Sequence, residues 1–174
     1  MKILHLLRHG KSSWDEPGMD DHERPLAPRG ERAARRIGRH LRQTVGPPDI
    51  VVCSTARRAR DTATIALEAL DAPDTGIPVI HNADLYLCGA PALLDRLRTL
   101  PESVAAAMLV GHNPDIHDLA LLLTGTGDPE SRHALAARFP TAACATITFA
   151  VATWPALAPG EGTLTAFAQP RKLA

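Results

Sequence analysis

Three stretches far apart in the chain combine basic and imidazole side chains in a way that suits an anion. Arg8, His9 and Gly10 stand together near the start, Ser54, Arg57 and Arg58 form a second group, and Gly111, His112 and Asn113 a third. A guanidinium presents a planar fork of donors that matches phosphate oxygens. A histidine near neutral pH can act as nucleophile, acid or hydrogen-bond donor. Two His and up to three Arg, with no carboxylate in those immediate positions and no metal-ligand pattern, fit a dianionic phosphate. Each residue alone has a plainer explanation: a lone histidine at a strand end is usually a solvated loop residue, and Arg57 or Arg58 a surface salt-bridge partner. Agreement among three separate segments outweighs those explanations.

The elements around these stretches follow from apolar patterning. Residues 3–7, 50–53, 78–81, 105–110, 146–151 and 163–167 read as strands. Residues 28–44 read as a helix with Pro28 in its first turn; Ala34, Ile37 and Leu41 mark its inner face and Arg29, Arg32, Arg36 and Arg39 its outer one. Further helices are expected over 56–70, 92–100 and 116–123. Residues 11–25 and 125–129 read as loops, and a Pro/Gly loop joins the last two strands. The alternation predicts an α/β fold of three layers, with helices on both faces of a mostly parallel central sheet of about six strands. Ligands of such sheets bind beyond the carboxyl ends of the strands, where all three basic stretches fall. A helix beginning near Ala56 adds backbone N–H groups and the positive end of its dipole.

Composition narrows the function class. The chain has 174 residues, enough for one domain over 1–174 without metal or disulfide staples. Lys+Arg and Asp+Glu both number 19, and aromatics are 3%, which argues against a general nucleic-acid binder. The charge is uneven: residues 1–70 hold 13 Lys/Arg against 9 Asp/Glu, and residues 71–174 hold 6 against 10, so the first part is the better anion receiver. Cys53, Cys88 and Cys144 form no CxxC pair, and a reducing cytoplasm is the simplest compartment. The opening apolar stretch is short for a signal peptide, and no run approaches the roughly 18 apolar residues of a membrane helix.

Leu7-Arg8-His9-Gly10 followed by Lys11-Ser12-Ser13-Trp14 resembles the RHG signature of the histidine phosphatase superfamily, whose fold is phosphoglycerate-mutase-like. The resemblance continues through Arg24-Pro25-Leu26, Arg29-Gly30, Cys53-Ser54-Thr55-Ala56-Arg57-Arg58-Ala59, Asp61-Thr62-Ala63 and Val110-Gly111-His112-Asn113-Pro114. It extends to Phe139-Pro140-Thr141 and Leu157-Ala158-Pro159-Gly160, nearly the whole chain, and is strongest to the SixA-type phosphohistidine phosphatases. The resemblance implies His9 as a nucleophile that becomes phosphohistidine, with Arg8, Arg58 and His112 as phosphate ligands. Arg57 is then an extra charge. It implies neither metal nor cofactor. The implied partner is a phosphorylated protein or a small phosphorylated molecule, with no nucleic acid or membrane.

Two positions depart from the family pattern. Many members protonate the leaving group from a carboxylic acid after the third strand; the nearest candidate here is Asp84, for which a solvated loop residue is the competing reading. Asp15 follows Trp14 where mutase-type members carry Asn, and either points away from the phosphate or serves as an acid. Ser12 either donates to phosphate or caps a turn. Trp14 is expected to pack, and His5 to be a satisfied buried residue. The spacing of His112 and His117 is not that of a zinc helix. Physically, two cationic Arg lower the pKa of His9 by repulsion, and a backbone carbonyl is expected to accept from its second ring nitrogen. The resulting expectation is a metal-independent phosphatase acting on phosphohistidine in proteins. Its alternatives are a phosphatase of a small phosphorylated metabolite and a non-catalytic module that binds phosphate or phosphoprotein.

Overall fold

The computed structural model describes residues 1–70 and 76–174. Among them, strands β1 (Lys2–Arg8), β2 (Ile50–Ser54), β3 (Val79–Asn82), β4 (Ala106–Gly111), β5 (Thr124–Gly127), β6 (Cys144–Phe149) and β7 (Gly162–Ala168) form one sheet in the order β3-β2-β4-β1-β6-β7-β5. The pairs β2–β3, β2–β4, β1–β4 and β5–β7 are parallel, whereas β6 runs antiparallel to both β1 and β7. Helices α1 (Pro28–Thr44), α2 (Arg57–Ala69), α3 (Ala90–Arg98), α4 (Asp115–Leu123) and α5 (Pro129–Ala137) complete the three-layer α/β architecture.

The central strands are buried on both faces, which is why they read as continuous apolar runs. Leu7, Val51, Cys53, Met108 and Val110 pack under α1 and α2 with Ile37, Leu41, Ala59, Ala63 and Ala66. Leu4, Leu6, Val52, Ala107 and Leu109 face the other way, against Leu93, Leu97, Ile116, Leu119 and Trp154. His5 lies with Leu7 on the α1–α2 face of β1, its Nδ1 3.0 Å from Thr146 Oγ1, and burial holds its pKa down at about 4. No helix among the described residues is long and apolar enough to cross a membrane.

The expected elements are present with ends shifted by a few residues. The differences lie in one region. The stretch read as a loop over 125–129 holds most of β5 (Thr124–Gly127), one strand more than the six expected, and leads into α5 (Pro129–Ala137), which the sequence reading did not place. β5 is Thr-Gly-Thr-Gly, a poor strand by propensity; its place on the sheet edge beside β7 comes from tertiary pairing. A Cβ on Gly125 would strike Gly160 O, so only glycine lets the two backbones approach there. α5 begins with Asp128 accepting from Ser131 N at 2.8 Å and Pro129 in the first turn, a start signal present in the residues themselves.

α1 and α2 touch closely because Gly38 has no side chain. A Cβ there would meet Ala66 O and lie 2.8 Å from Ala69 Cβ. Helix propensity alone favours alanine over glycine by about 1 kcal/mol, but overpacking against backbone costs about 1–3 kcal/mol. Gly38→Ala should therefore lower stability in urea unfolding. Equal or higher stability would show that the α1–α2 crossing has room to move.

Candidate active site

The site forms where β1, β2 and β4 end together. Arg8 pairs with Gly111 across the β1–β4 ladder, and His9 N continues it, donating to Gly111 O at 3.0 Å. From the other side Ala142 N donates to His9 O at 3.0 Å. The backbone of His9 is thereby held between two segments. Gly10 N donates to Thr62 Oγ1 of α2 at 2.9 Å, and that hydroxyl donates to Arg58 O at 2.6 Å. The turn brings Gly10 O to 2.7 Å from His9 Nδ1. A carbonyl only accepts, so Nδ1 carries the proton and Nε2 keeps its lone pair. A Cβ on Gly10 would lie 2.8 Å from Gly30 O, and one on Gly30 would strike Lys11 O. Two glycines thus let the first turn of α1 pack onto the turn that orients His9.

His112 comes from the end of β4, its ring centroid 5.1 Å from that of His9. Ser54 Oγ, at the end of β2, lies 2.8 Å from His112 Nε2 and also accepts from Ala56 N at 3.3 Å. Tyr86 meets His112 edge-on at 5.2 Å. Arg58, in the first turn of α2, is 4% exposed. Arg8 Nη1 donates to Phe139 O at 2.9 Å, and Asn113 Nδ2 donates to the same carbonyl at 3.0 Å. Among the described residues, Arg8 Nε, Arg58 Nε and His112 Nδ1 are buried without a hydrogen-bond partner. Buried polar groups are rarely left unpartnered, and three such nitrogens from β1, α2 and the end of β4 leave hydrogen-bonding capacity at this one site.

A carboxylate also belongs to this cluster. Asp21, from the 3-10 turn Asp21–Glu23, accepts from Arg58 Nη2 at 3.1 Å and Arg24 Nε at 2.9 Å through its side chain, and from Arg58 Nη1 at 2.7 Å through its carbonyl. Tyr86 Oη donates to the same carboxylate. Sequence reading did not select Asp21: its partner is 37 positions away in the chain and the loop has no periodicity. Ser54 and Thr62 stand in recognisable motif positions, but their roles in holding His112 and Gly10 appear only in the fold.

The remaining residues singled out from sequence lie as follows. Asp84 is exposed, its backbone N donates to Asn82 Oδ1 at 2.9 Å, and its carboxylate forms no hydrogen bond or ion pair with the described residues. The structure therefore does not bring it into the cluster. Ser12 is buried and accepts from Arg24 Nη1 at 2.8 Å. Asp15 is exposed, and its N donates to Ser13 Oγ at 3.2 Å. Trp14 departs from the packing role expected of it: it is 68% exposed, with the Arg24 guanidinium 3.5 Å over its ring in place of a core. Arg57 pairs on the surface with Asp61 at 3.6 Å, and His117 Nε2 lies 2.6 Å from Leu135 O.

Burial is the main electrostatic cause here. It pushes the His9 pKa down to about 3, against the Gly10 hydrogen bond and with added repulsion from His112, Arg58 and Arg8. His112 is lowered to about 4, again by burial first and then by Arg58, with Asp21 opposing. The repulsion expected from the two Arg is present but secondary. Asp21 is held at about 2, chiefly by the Tyr86 hydrogen bond; burial, the next largest effect, opposes it, and Arg58 and Arg24 each add a smaller lowering. At neutral pH the site therefore holds two neutral imidazoles, two guanidiniums and one carboxylate anion. That arrangement can offer a nitrogen lone pair to an electrophilic phosphorus whose oxygens are held by cations.

A family model, the histidine phosphatase superfamily (branch 1), matches residues 4–86. An uncharacterized protein of Mycobacterium leprae is 35% identical over 170 residues, covering 95% of this chain and 100% of that one. The chain belongs to the histidine phosphatase superfamily. A structure from Nakamurella multipartitia, provisionally named phosphohistidine phosphatase SixA, superposes with a TM-score of 0.82 at 28% identity, over 97% of this chain and 96% of that one. One from Agrobacterium tumefaciens with the same provisional name gives 0.80 at 27%, over 97% and 98%. Within the superfamily the chain falls in the SixA-type branch, and it is a phosphatase.

The depressed histidines link this site to stability. His5, His9 and His112 titrate at about 4, 3 and 4 when folded, against 6.5 when unfolded. Between about pH 4 and 6.5 the unfolded chain binds more protons, so stability falls as pH drops through that window. Asp21, at about 2 against its ordinary 3.8, acts in the same direction at lower pH. The thermal midpoint should fall from pH 7 to pH 5, and His5→Leu should make that fall shallower. A fall equally steep in the variant would contradict a neutral His5.

Proposed function

We propose that this phosphatase takes the phosphoryl group from phosphohistidine in a protein onto Nε2 of His9 and then passes it to water. The observation that carries this reading is the 2.7 Å contact of His9 Nδ1 with Gly10 O, which leaves Nε2 as the free nucleophile. The Nε2 lone pair attacks phosphorus while the P–N bond to the substrate imidazole breaks and its electron pair returns to that ring. Arg8, Arg58 and His112 hold the equatorial oxygens, where charge accumulates in the transition state. Water then attacks the phosphohistidine at position 9, the P–N bond breaks, inorganic phosphate leaves and His9 is regenerated. The departing protons go to phosphate and solvent.

The leaving group supports a nitrogen-linked substrate. An ester oxygen needs a proton as it departs. The carboxylate in the cluster, Asp21, is held ionised by Tyr86 and Arg58 and has no proton to give at neutral pH. A substrate imidazole can be protonated before the bond breaks, so it depends less on an acid from the protein. The provisional names of the two SixA-type relatives agree with this chemistry. Three free cysteines fit a reducing, cytoplasmic setting.

The test is a substrate panel with trapping. A phosphohistidine peptide should be hydrolysed with a higher kcat/KM than small phosphate monoesters, and turnover should persist in EDTA. Brief exposure should yield an acid-labile, base-stable phosphoenzyme that His9→Ala cannot form. A preference for one small monoester over the peptide would turn the reading to a metabolite phosphatase. Binding without turnover would turn it to a phosphate-binding module. Arg58→Ala should cost about 10²–10³ in kcat, on the scale of losing one preorganised donor, and Arg57→Ala little. The reverse order would place the phosphate on the wrong guanidinium.

A further inference from the structure

A second basic concavity opens on the same rim of the sheet. Its volume is about 510 Å³, and none of His9, Arg58 and His112 lines it. One wall is the outer face of α1, with Arg29, Arg32 and Arg36. The opposite wall is the turn Pro170–Lys172 after β7, with Arg171 and Lys172, and Lys11 and Arg138 close the ends. β7 runs antiparallel to β6, as β6 does to β1, so β7 ends at the same edge as β1.

The charge in this groove is not compensated. Seven cationic side chains line it and no carboxylate does, in a chain whose Lys+Arg and Asp+Glu counts are equal. Arg29, Arg32, Arg138, Arg171 and Lys172 form no ion pair with the described residues. Arg36 is anchored across the groove, donating from Nη1 to Pro170 O at 3.0 Å, which ties the two walls together. Positions 29, 32 and 36 share one face of the helix, so three guanidiniums point along a single stripe. Surface like charges gathered this closely repel one another unless an anion joins them.

We propose that this groove binds a compact polyanion carrying several phosphoryl groups, at a site separate from His9. Three observations select that class. The volume falls in the range of small-molecule sites, about 300–1,000 Å³. Five of the seven cations are Arg, whose forks pair bidentately with phosphoryl oxygens. The number of cations far exceeds what one monoester needs. The inference does not rest on the identity of the substrate at His9.

Calorimetric titration of the full chain with inorganic tripolyphosphate tests it. Wild type and Arg58→Ala should both bind one equivalent, and binding should persist at about 0.15 M salt, where diffuse attraction is screened within about 8 Å. Arg32→Glu/Arg171→Glu should weaken binding about tenfold or more, a loss of about 1.4 kcal/mol or more, while p-nitrophenyl phosphate turnover stays at the wild-type level. If the double reversal does not fold, Arg32→Gln/Arg171→Gln serves, with the same direction of change. Loss in Arg58→Ala with retention in the groove variant would place the anion at His9 and overturn the proposal. So would an absence of binding to wild type, or a glutamate dodecapeptide that binds as tightly as tripolyphosphate, which would assign the groove to an acidic polypeptide.

Discussion

The hydrogen bond between His9 Nδ1 and the carbonyl of Gly10 is the constraint on which the site depends. It fixes the tautomer and direction of the ring at once, at 2.7 Å and within a single peptide step. Such a contact is possible only if the backbone after His9 turns sharply and stays turned. Thr62 secures the turn by accepting from Gly10 N, and Gly30 lets the start of α1 lie against it. The close crossing of α1 and α2 therefore has a consequence at the sheet edge: both helices hold the residue that follows His9. Packing of the two helices thus acts on His9 through the carbonyl of Gly10, the direct contact that sets which nitrogen faces the basic cup.

Burial and charge act together in that cup. A histidine beside two guanidiniums would be neutral for electrostatic reasons alone, yet desolvation is the larger cause for both His9 and His112. An uncharged nucleophile can approach a phosphate without gaining or losing a formal attraction, and the cations remain free to act on the oxygens. Asp21 complicates this arrangement. Its carboxylate and carbonyl both engage Arg58, so it shares the guanidinium with any incoming anion. Arg58 still has its Nε unpartnered among the described residues, as has Arg8. The carboxylate thus orients the guanidinium while leaving donors for a phosphoryl group, and its own charge repels an anion that cannot reach those donors.

Much of the fold was legible because the sheet is buried on both faces. Residues 3–7 and 50–53 have no alternative to a central strand, and Pro28 and Gly46 bracket α1 clearly. The ends of the strands over 3–7, 50–53 and 105–110 pointed to Arg8, His9, Arg57, Arg58 and His112 without any contact information, and the family resemblance chose Arg58 over Arg57. What could not be read depends on contacts between distant residues. Asp21 has the same local character as Asp15, Asp20 and Glu23, and only the meeting with Arg58 and Tyr86 sets it apart. β5 has no strand propensity of its own and exists because β7 offers an edge. Trp14 looked like core by residue type, but the loop turns it outward over Arg24.

Two anion-attracting features on one rim differ in a way that bears on their use. In the His9 cup each guanidinium is tied down, Arg8 to Phe139 O and Arg58 to Asp21, and the imidazoles are neutral. That cup holds a modest net charge in a fixed geometry, which suits a group that must be held, attacked and released. The groove beside α1 holds seven cations, with Arg36 tied to the opposite wall and most others extending from the surface. High charge on flexible side chains gives strong attraction and weak geometric demand, which suits holding a ligand more than transforming it. The segment from Arg138 to Thr141 contributes to the groove while Phe139 O within it holds Arg8 and Asn113. A polyanion seated against Arg138 and Thr141 would therefore press on the same backbone that sets the position of Arg8, and through it the shape of the His9 cup.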